Sequence, residues 1–401
     1  MLSKIINPAK KTYNIHYAIR DITLLADEVA KTGKEMLYLN IGDPNVYDHR
    51  TPMHLIEATY NAMLNNKNGY APSSGIKGAI KAIEKDSDNK GIDNILDIFV
   101  TTGASEAIEI CLTALLNAGE NFLMPTPGYP LYTAVQSKLE LEPNPYYLDE
   151  SNNWQPDIED IKSKINDKTK AIVIINPNNP TGSVYKKETL LKIIDIALEH
   201  NLLIISDEIY DKLLFDDNKH FAIASLNKDV SCVTFSGLSK NYVAPGFRLG
   251  WGVASGKTSA MKEYLDAVNR ILRARVCANH PEQYAIISAL EGDQSHIAKM
   301  NLILQRRRDI TFEMLTAIEG INLVKPEGAF YAFPSIEVDN DKKFVSELLK
   351  ETGVVVVPGD GFGQRPGSKH FRIVILPSEE ILIKAFERIG EFYEIYKQKM
   401  R

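Results

Sequence analysis

The sequence predicts an α/β protein: a mostly parallel β-sheet covered by helices on both faces, with a smaller second domain from about residue 295. Three observations predict it. From about residue 97, apolar strand-like runs alternate with helix-like stretches, the order that builds a parallel sheet between two layers of helix. Some of these runs, residues 170–175 and 230–235 among them, are mostly apolar, as strands buried on both faces are. The runs end in loops dense in Gly, Pro, Asn and charged residues, at the strand ends where such sheets bind ligands.

The size and charge fit an enzyme of this class. The chain has 401 residues, with 44% hydrophobic and 24% charged residues, the balance of a soluble globular protein. Its length suggests two or three domains of about 150 residues each. A net charge of −6 and a pI near 5.8 argue against a nucleic-acid binder, which would show a basic face. The basic cluster Arg306, Arg307 and Arg308 is expected on a solvated helix face. Cys111, Cys232 and Cys277 sit in apolar contexts, too few for a disulfide framework, and are expected as buried free thiols. The eight histidines show no ligand spacing, so no metal site is expected. No run approaches the ~20 apolar residues of a membrane span. Residues 1–20 lack the apolar core of a signal peptide. A cytoplasmic location is the simplest reading.

The elements follow in order. An arm leads to an amphipathic helix near residues 19–32, then to a short strand, LYLNIGDP at 37–44, ending in a turn at Gly42. Glycine there lets backbone approach a ligand, though a plain turn reads equally well. A helix is expected at 52–64, then a turn-rich loop at 68–75 carrying Tyr70. A strand at 97–102 runs into GASE at 103–106, the start of a helix reaching about 117. Free N–H groups at Gly103, Ala104 and Ser105 could cap that helix or cup a phosphate. The strand at 121–124 leads into PTPGYP, where prolines aim Tyr129; its ring could stack on a flat ligand or only pack. Strand 170–175 enters NPNNPTG at 176–182, helix 187–200 follows, and strand 202–206 ends in SDEIY at 206–210. Asp207 therefore lies where ligands bind. Glu208 reads as structural. Strands at 230–235 and 250–254 precede a long helix from about 258. The second domain has helices near 306–318, 342–352 and 379–397, and strands at 329–333, 354–357 and 371–375. The arm and first helix should pack back onto it.

Two side chains stand out by type. Lys240 follows a buried strand, where lysine is uncommon. Burial lowers its pKa and leaves more neutral amine to attack carbonyls, although a lone lysine could simply snorkel. Arg372 sits in the apolar run HFRIV at 370–374 and needs a partner, either a structural carboxylate or a ligand.

The spacing around Lys240, in SGLSKNYVAPGFRLG at 236–250, together with NPNNPTG, SDEIY and HFRIV, resembles the class I/II aminotransferases of fold type I. The resemblance runs from Gly42 to Arg372. It implies a seven-stranded mostly parallel sheet and a smaller α+β domain built from both termini. The division would be an arm at 1–48, a large domain at 49–294 and a small domain at 295–401. It implies pyridoxal 5'-phosphate (PLP) as cofactor, held as an internal aldimine by Lys240. Arg248 would hold the phosphate with Gly103, Ala104 and Ser105, and Tyr70 would reach the phosphate across a homodimer interface. Tyr129 would stack on the ring. Asn179 and Tyr210 would meet the phenolic oxygen and Asp207 the ring nitrogen. The backbone at Gly42, Asn179 and Arg372 would bind substrate. The segment GAFY at 328–331 resembles a family strand that is core with occasional substrate contact. One departure is Ala79 and Ile80, where the family commonly has Leu-Arg; a structural contact changes there.

The resemblance is nearest to bacterial and archaeal alanine aminotransferases, in the segments 174–182, 206–212, 275–279 and 370–374. It implies transfer of an amino group from L-alanine to 2-oxoglutarate by a ping-pong mechanism. Aspartate or broad-specificity aminotransferase is the alternative. Aspartate specialists of a related branch place a lysine near 103–105, where this chain has only Ser105. A regulator that binds PLP without catalysis would need a DNA-binding domain for which the chain has no length. The side-chain pocket is not fixed by sequence, and Tyr17 of the arm is a candidate for it.

Overall fold

The computed structural model describes residues 6–15 and 18–400; the candidate Tyr17 lies outside them. Among the described residues, eight strands form the large sheet. Their spatial order is Ile95–Thr101, Gly250–Ser255, Cys232–Gly237, Leu203–Asp207, Thr169–Ile175, Asn121–Thr126, Pro145–Asp149 and Gln155–Pro156. The first seven make the expected sheet, and the two-residue strand Gln155–Pro156 extends its edge. The four pairings from Cys232–Gly237 across to Pro145–Asp149 are parallel; Gly250–Ser255 runs antiparallel to both its neighbours.

Alternation along the strands makes both faces apolar. Ala171, Val173 and Ile175 face one core with Ile205, Val233 and Phe235, while Ile172 and Ile174 face another with Ile204 and Cys232. Such two-sided burial is what a continuous apolar run predicts. Register then decides where function can sit. Ile175 pairs with Asp207, Asp207 with Phe235, and Gly250 with both Gly237 and Thr101. The strands therefore end level, and the loops after them share one edge.

A smaller α+β layer is built from both ends of the chain. Strand Leu37–Tyr38 pairs in parallel with Val354–Val355, and helix Ala18–Ala30 packs against helix Asp341–Thr352. Helix Glu379–Met400 packs on helix Ser295–Thr316. The expected strand at 354–357 is two short pieces with different partners: Val357–Pro358 pairs with Phe371–Val374 instead. The expected strand at 329–333 shrinks to Tyr331–Ala332 for the same reason, since only that stretch meets Phe371–Val374.

The arginine cluster corrects an expectation. Arg306 is exposed and pairs with Glu379 at 3.1 Å. Arg307 is buried, paired with Asp48 and bonded to the Leu376 carbonyl. Arg308 is fully buried, with Asp216 at 2.8 Å, Asp309 at 2.8 Å and the Pro326 carbonyl at 2.6 Å. Successive helix positions point about 100° apart, so Arg306 faces away from the single buried stripe of helix Ser295–Thr316 while Arg307 and Arg308 lie on it. Each inward guanidinium brings its own acceptors, as buried charge requires. A second correction is Cys277, which is only partly buried, whereas Cys111 and Cys232 are buried. No helix among the described residues is long and apolar enough to cross a membrane.

Candidate active site

The site is assembled from the loops at the shared edge. Lys240 follows strand Cys232–Gly237 in a tight turn, closed by Ala244 N–H donating to the Leu238 carbonyl at 3.1 Å. Its Nζ donates to the Gly42 carbonyl at 2.7 Å and lies 5.6 Å from the centre of the Phe330 ring. Burial lowers its pKa to about 8, aided by Arg372 and Arg248 and opposed by Asp43 and Asp207. Glycine is required at 42, because a Cβ there would overlap the Tyr331 hydroxyl.

Asp207 closes strand Leu203–Asp207 and is buried. Burial pushes its carboxyl up to about 6, against the Ile209 N–H, the Tyr132 hydroxyl and Lys240. Tyr132 O–H donates to Asp207 Oδ2 at 3.4 Å. Three residues on from Asp207, the Tyr210 hydroxyl meets the Tyr331 hydroxyl at 2.9 Å. Burial drives the Tyr210 phenol well above its ordinary value, so it stays protonated and able to donate.

Arg372 lies on strand Phe371–Val374 and is 1% exposed. It donates to Asn179 Oδ1 at 3.1 Å and to the Asn40 carbonyl at 2.6 Å. Its guanidinium is flanked by the rings of Tyr331 and Phe362 at 4.7 and 4.6 Å. Asn179 comes from the loop after Thr169–Ile175, which carries cis peptide bonds at Asn176–Pro177 and Asn179–Pro180.

The third part is the start of helix Ala104–Leu115. Gly103 precedes it with φ 78°. Arg248, with φ 52°, turns its guanidinium onto this helix start and donates to Ser105 Oγ at 3.2 Å. A Cβ at Gly103 would lie 2.5 Å from Arg248 Nη2. At Gly250 a Cβ would overlap the Ala104 nitrogen, so strand and helix start touch only because that residue is glycine.

The structure thus gathers Lys240, Asp207, Tyr210, Asn179, Arg372 and Gly42, with Gly103, Ala104, Ser105 and Arg248 at the helix start. Tyr129 caps the next helix, Pro130–Lys138, and lies within electrostatic reach of Tyr210. A groove of about 990 Å³ runs from Tyr129, Tyr132 and Phe362 outward to Lys10 and Asn14 of the arm. Tyr70 is not brought to this cluster: it is 86% exposed on the single chain. Sequence reasoning missed Tyr132, Asn40 and Phe362, and reached Phe330 only as part of the segment GAFY at 328–331. Of the three missed, only Tyr132 carried a signal, standing three residues after Tyr129 in the first turn of helix Pro130–Lys138. No group of His, Cys, Asp or Glu among the described residues could hold a metal ion.

Known proteins resemble this chain over nearly its whole length. The family described as aminotransferase class I and II matches residues 34–389. The glutamate-pyruvate aminotransferase AlaA of Escherichia coli K12 is 39% identical over 404 aligned residues, covering 98% of this chain and 99% of its own. Its namesake in Haemophilus influenzae is 42% identical over 377 residues, covering 91% and 92%. The solved structure of alanine aminotransferase from Pyrococcus furiosus matches with a TM-score of 0.94 at 41% identity, over 97% of this chain and 100% of that one. The chain therefore belongs to the class I and II aminotransferases.

Proposed function

We propose that the protein is a PLP-dependent alanine aminotransferase, moving an amino group from L-alanine to 2-oxoglutarate to give pyruvate and L-glutamate. The observation that carries this reading is the cluster itself: a lysine lowered to about 8, a buried carboxyl and a buried arginine reached from one edge. The residues fit the cofactor. The helix start beside Gly103, Ser105 and Arg248 suits a phosphate. Asp207 suits a ring nitrogen, because a nearby anion favours its protonated form.

When bound, PLP supplies an aldehyde for the amine to condense with and a ring that withdraws electrons. The neutral Lys240 amine would provide the covalent link and, once released, would take the proton from the substrate Cα as a general base. Arg372 holds the α-carboxylate in a two-pronged grip. Asn179 and Tyr210 would hold the phenolic oxygen, and Tyr129 would lie against the ring. Because donor and acceptor both carry an α-carboxylate, one site serves both halves of a ping-pong exchange.

We further infer two copies per working unit. Helix Met53–Leu64 exposes Met53, Ile56, Tyr60 and Met63, an apolar stripe at helical spacing of the kind that marks interfaces. Tyr70, exposed nearby in sequence, would complete the phosphate site of the second copy. We divide the chain functionally near residues 49 and 295. The free thiols suit a reducing compartment, in support of a cytoplasmic location.

The test is a panel of amino acids and 2-oxo acids with alanine and aspartate in parallel. The reading predicts pyruvate from alanine only when 2-oxoglutarate is added. A preference for aspartate, or product without an acceptor, would overturn it.

A further inference from the structure

Behind the cluster, a buried ionic strap joins two of its turns. One turn carries Asp207 and Tyr210 and continues to Asp211; the other carries Lys240 and continues to Asn241. Asn241 Nδ2 donates to Asp211 Oδ1 at 2.6 Å. The other oxygen, Asp211 Oδ2, meets Lys90 Nζ at 2.6 Å, and Lys90 also pairs with Asp86 at 2.7 Å. Asp86 in turn meets Lys212 at 3.3 Å, and Lys212 donates to the Tyr242 hydroxyl at 3.0 Å. The two residues after Lys240 are therefore both fastened to the two residues after Tyr210 and to the end of helix Lys77–Asn89.

These side chains are out of water: Asp211 is 6% and Asn241 1% exposed. Burial pushes Asp211 up, but Lys90, His220 and Lys212 outweigh it and hold the carboxyl below its ordinary value. His296 Nε2 meets the Asn241 carbonyl at 3.1 Å, so the Lys240 turn is gripped at side chain and backbone. An apolar contact would also join two turns, without desolvating charges. What it would not supply is direction. A hydrogen bond to a charged acceptor fixes one turn against the other to within a few tenths of an ångström, and catalytic groups tolerate only ~0.5 Å of misplacement.

The geometry points to Asp211 and Asn241 as positioning residues: their bond sets Lys240 against Asp207 and Tyr210, and Lys90 holds Asp211 in place. None of the three is assigned to cofactor or substrate. This inference rests on Lys240 being the cofactor lysine.

Two variants of the PLP-loaded protein separate positioning from mere support. Asn241→Ala breaks the strap but leaves Asp211 with Lys90. Arg308→Ala removes a buried charge that pairs with Asp216, outside the strap. Asn241→Ala should lower kcat about tenfold or more with KM for alanine within about threefold, and should weaken the circular dichroism of the bound cofactor. Arg308→Ala should lose more thermal stability yet keep kcat within about threefold of the parent. That crossed order cannot arise from a purely structural role. If kcat follows thermal stability through both variants, or Asn241→Ala keeps full kcat, the inference is wrong. Should Asn241→Ala not fold, Asn241→Ser, also too short to reach Asp211, takes its place. Borohydride fixation in the parent protein runs alongside. A label away from Lys240 would sink the functional reading, whereas a label on Lys240 with unchanged kcat in Asn241→Ala would sink only the strap.

Discussion

Arg372→Ala isolates the grip on the substrate. In the structure the guanidinium donates to Asn179 Oδ1 at 3.1 Å and to the Asn40 carbonyl at 2.6 Å, with aromatic rings on either side. It is thus already oriented before substrate arrives. A hydrogen bond to a charged group contributes about 1.5–3 kcal/mol, so losing a two-pronged contact with a carboxylate costs roughly 3–4 kcal/mol. At 1.4 kcal/mol per tenfold, kcat/KM should fall by about 10²–10³. The fall should be similar for alanine, glutamate, pyruvate and 2-oxoglutarate, because all four share the α-carboxylate. Arg372→Lys should lose less, about tenfold, since it keeps the charge but not the planar fork or its stacking. The assay is the half-reaction of each substrate followed by cofactor absorbance. A primary amine without a carboxylate serves as control and should react alike with parent and variant. A loss below about threefold, or an equal loss with the control amine, would refute the assignment.

The other predictions come from burial and close contact. Lys240 titrates at about 8, so its neutral form grows with pH; PLP uptake by cofactor-free protein should rise about tenfold from pH 7 to pH 9 and then level. A flat profile would remove Lys240 as the reacting amine. Arg306→Ala should change stability by less than about 0.5 kcal/mol, whereas Arg307→Ala and Arg308→Ala should each cost about 3 kcal/mol or more in urea unfolding, because each leaves a cavity and an unpaired buried carbonyl, at Leu376 or Pro326. Gly250→Ala drives a methyl into the Ala104 nitrogen; it should cost roughly 1–3 kcal/mol and weaken PLP binding, measured by equilibrium titration. Tyr60→Glu charges the apolar stripe on helix Met53–Leu64, so sedimentation should show monomers with reduced activity. A fully active monomer would contradict the shared-site reading.

Much of the large sheet was legible because its strands obey one rule. Residues 171–175 and 203–205 are apolar and buried on both faces, so hydrophobicity alone marks them. Strand Pro145–Asp149 was missed: it is a near-edge strand, starts with proline, and buries only alternate residues. One short strand of the C-terminal part, Val354–Val355, depends on a partner at the other end of the chain, Leu37–Tyr38, and no local pattern encodes that. The polar helix Lys77–Asn89 was missed because little of it is apolar.

The site was legible where chemistry demands a residue type at a strand end, as with Lys240, Asp207 and Arg372. It was not legible where side chains arrive from elsewhere by packing. Phe362 reaches Arg372 from a loop with no signature, and Asn40 contributes only its carbonyl. The burial of Arg307 and Arg308 was hidden because a run of three arginines looks the same whether its partners are water or carboxylates.

The central claim is that one amine, Lys240, carries the coenzyme. Borohydride reduction of PLP-loaded protein followed by peptide mass mapping tests it most directly. The account predicts a stable phosphopyridoxyl mass on Lys240 and on no other lysine. A label elsewhere, or none in protein that has bound PLP, would contradict it.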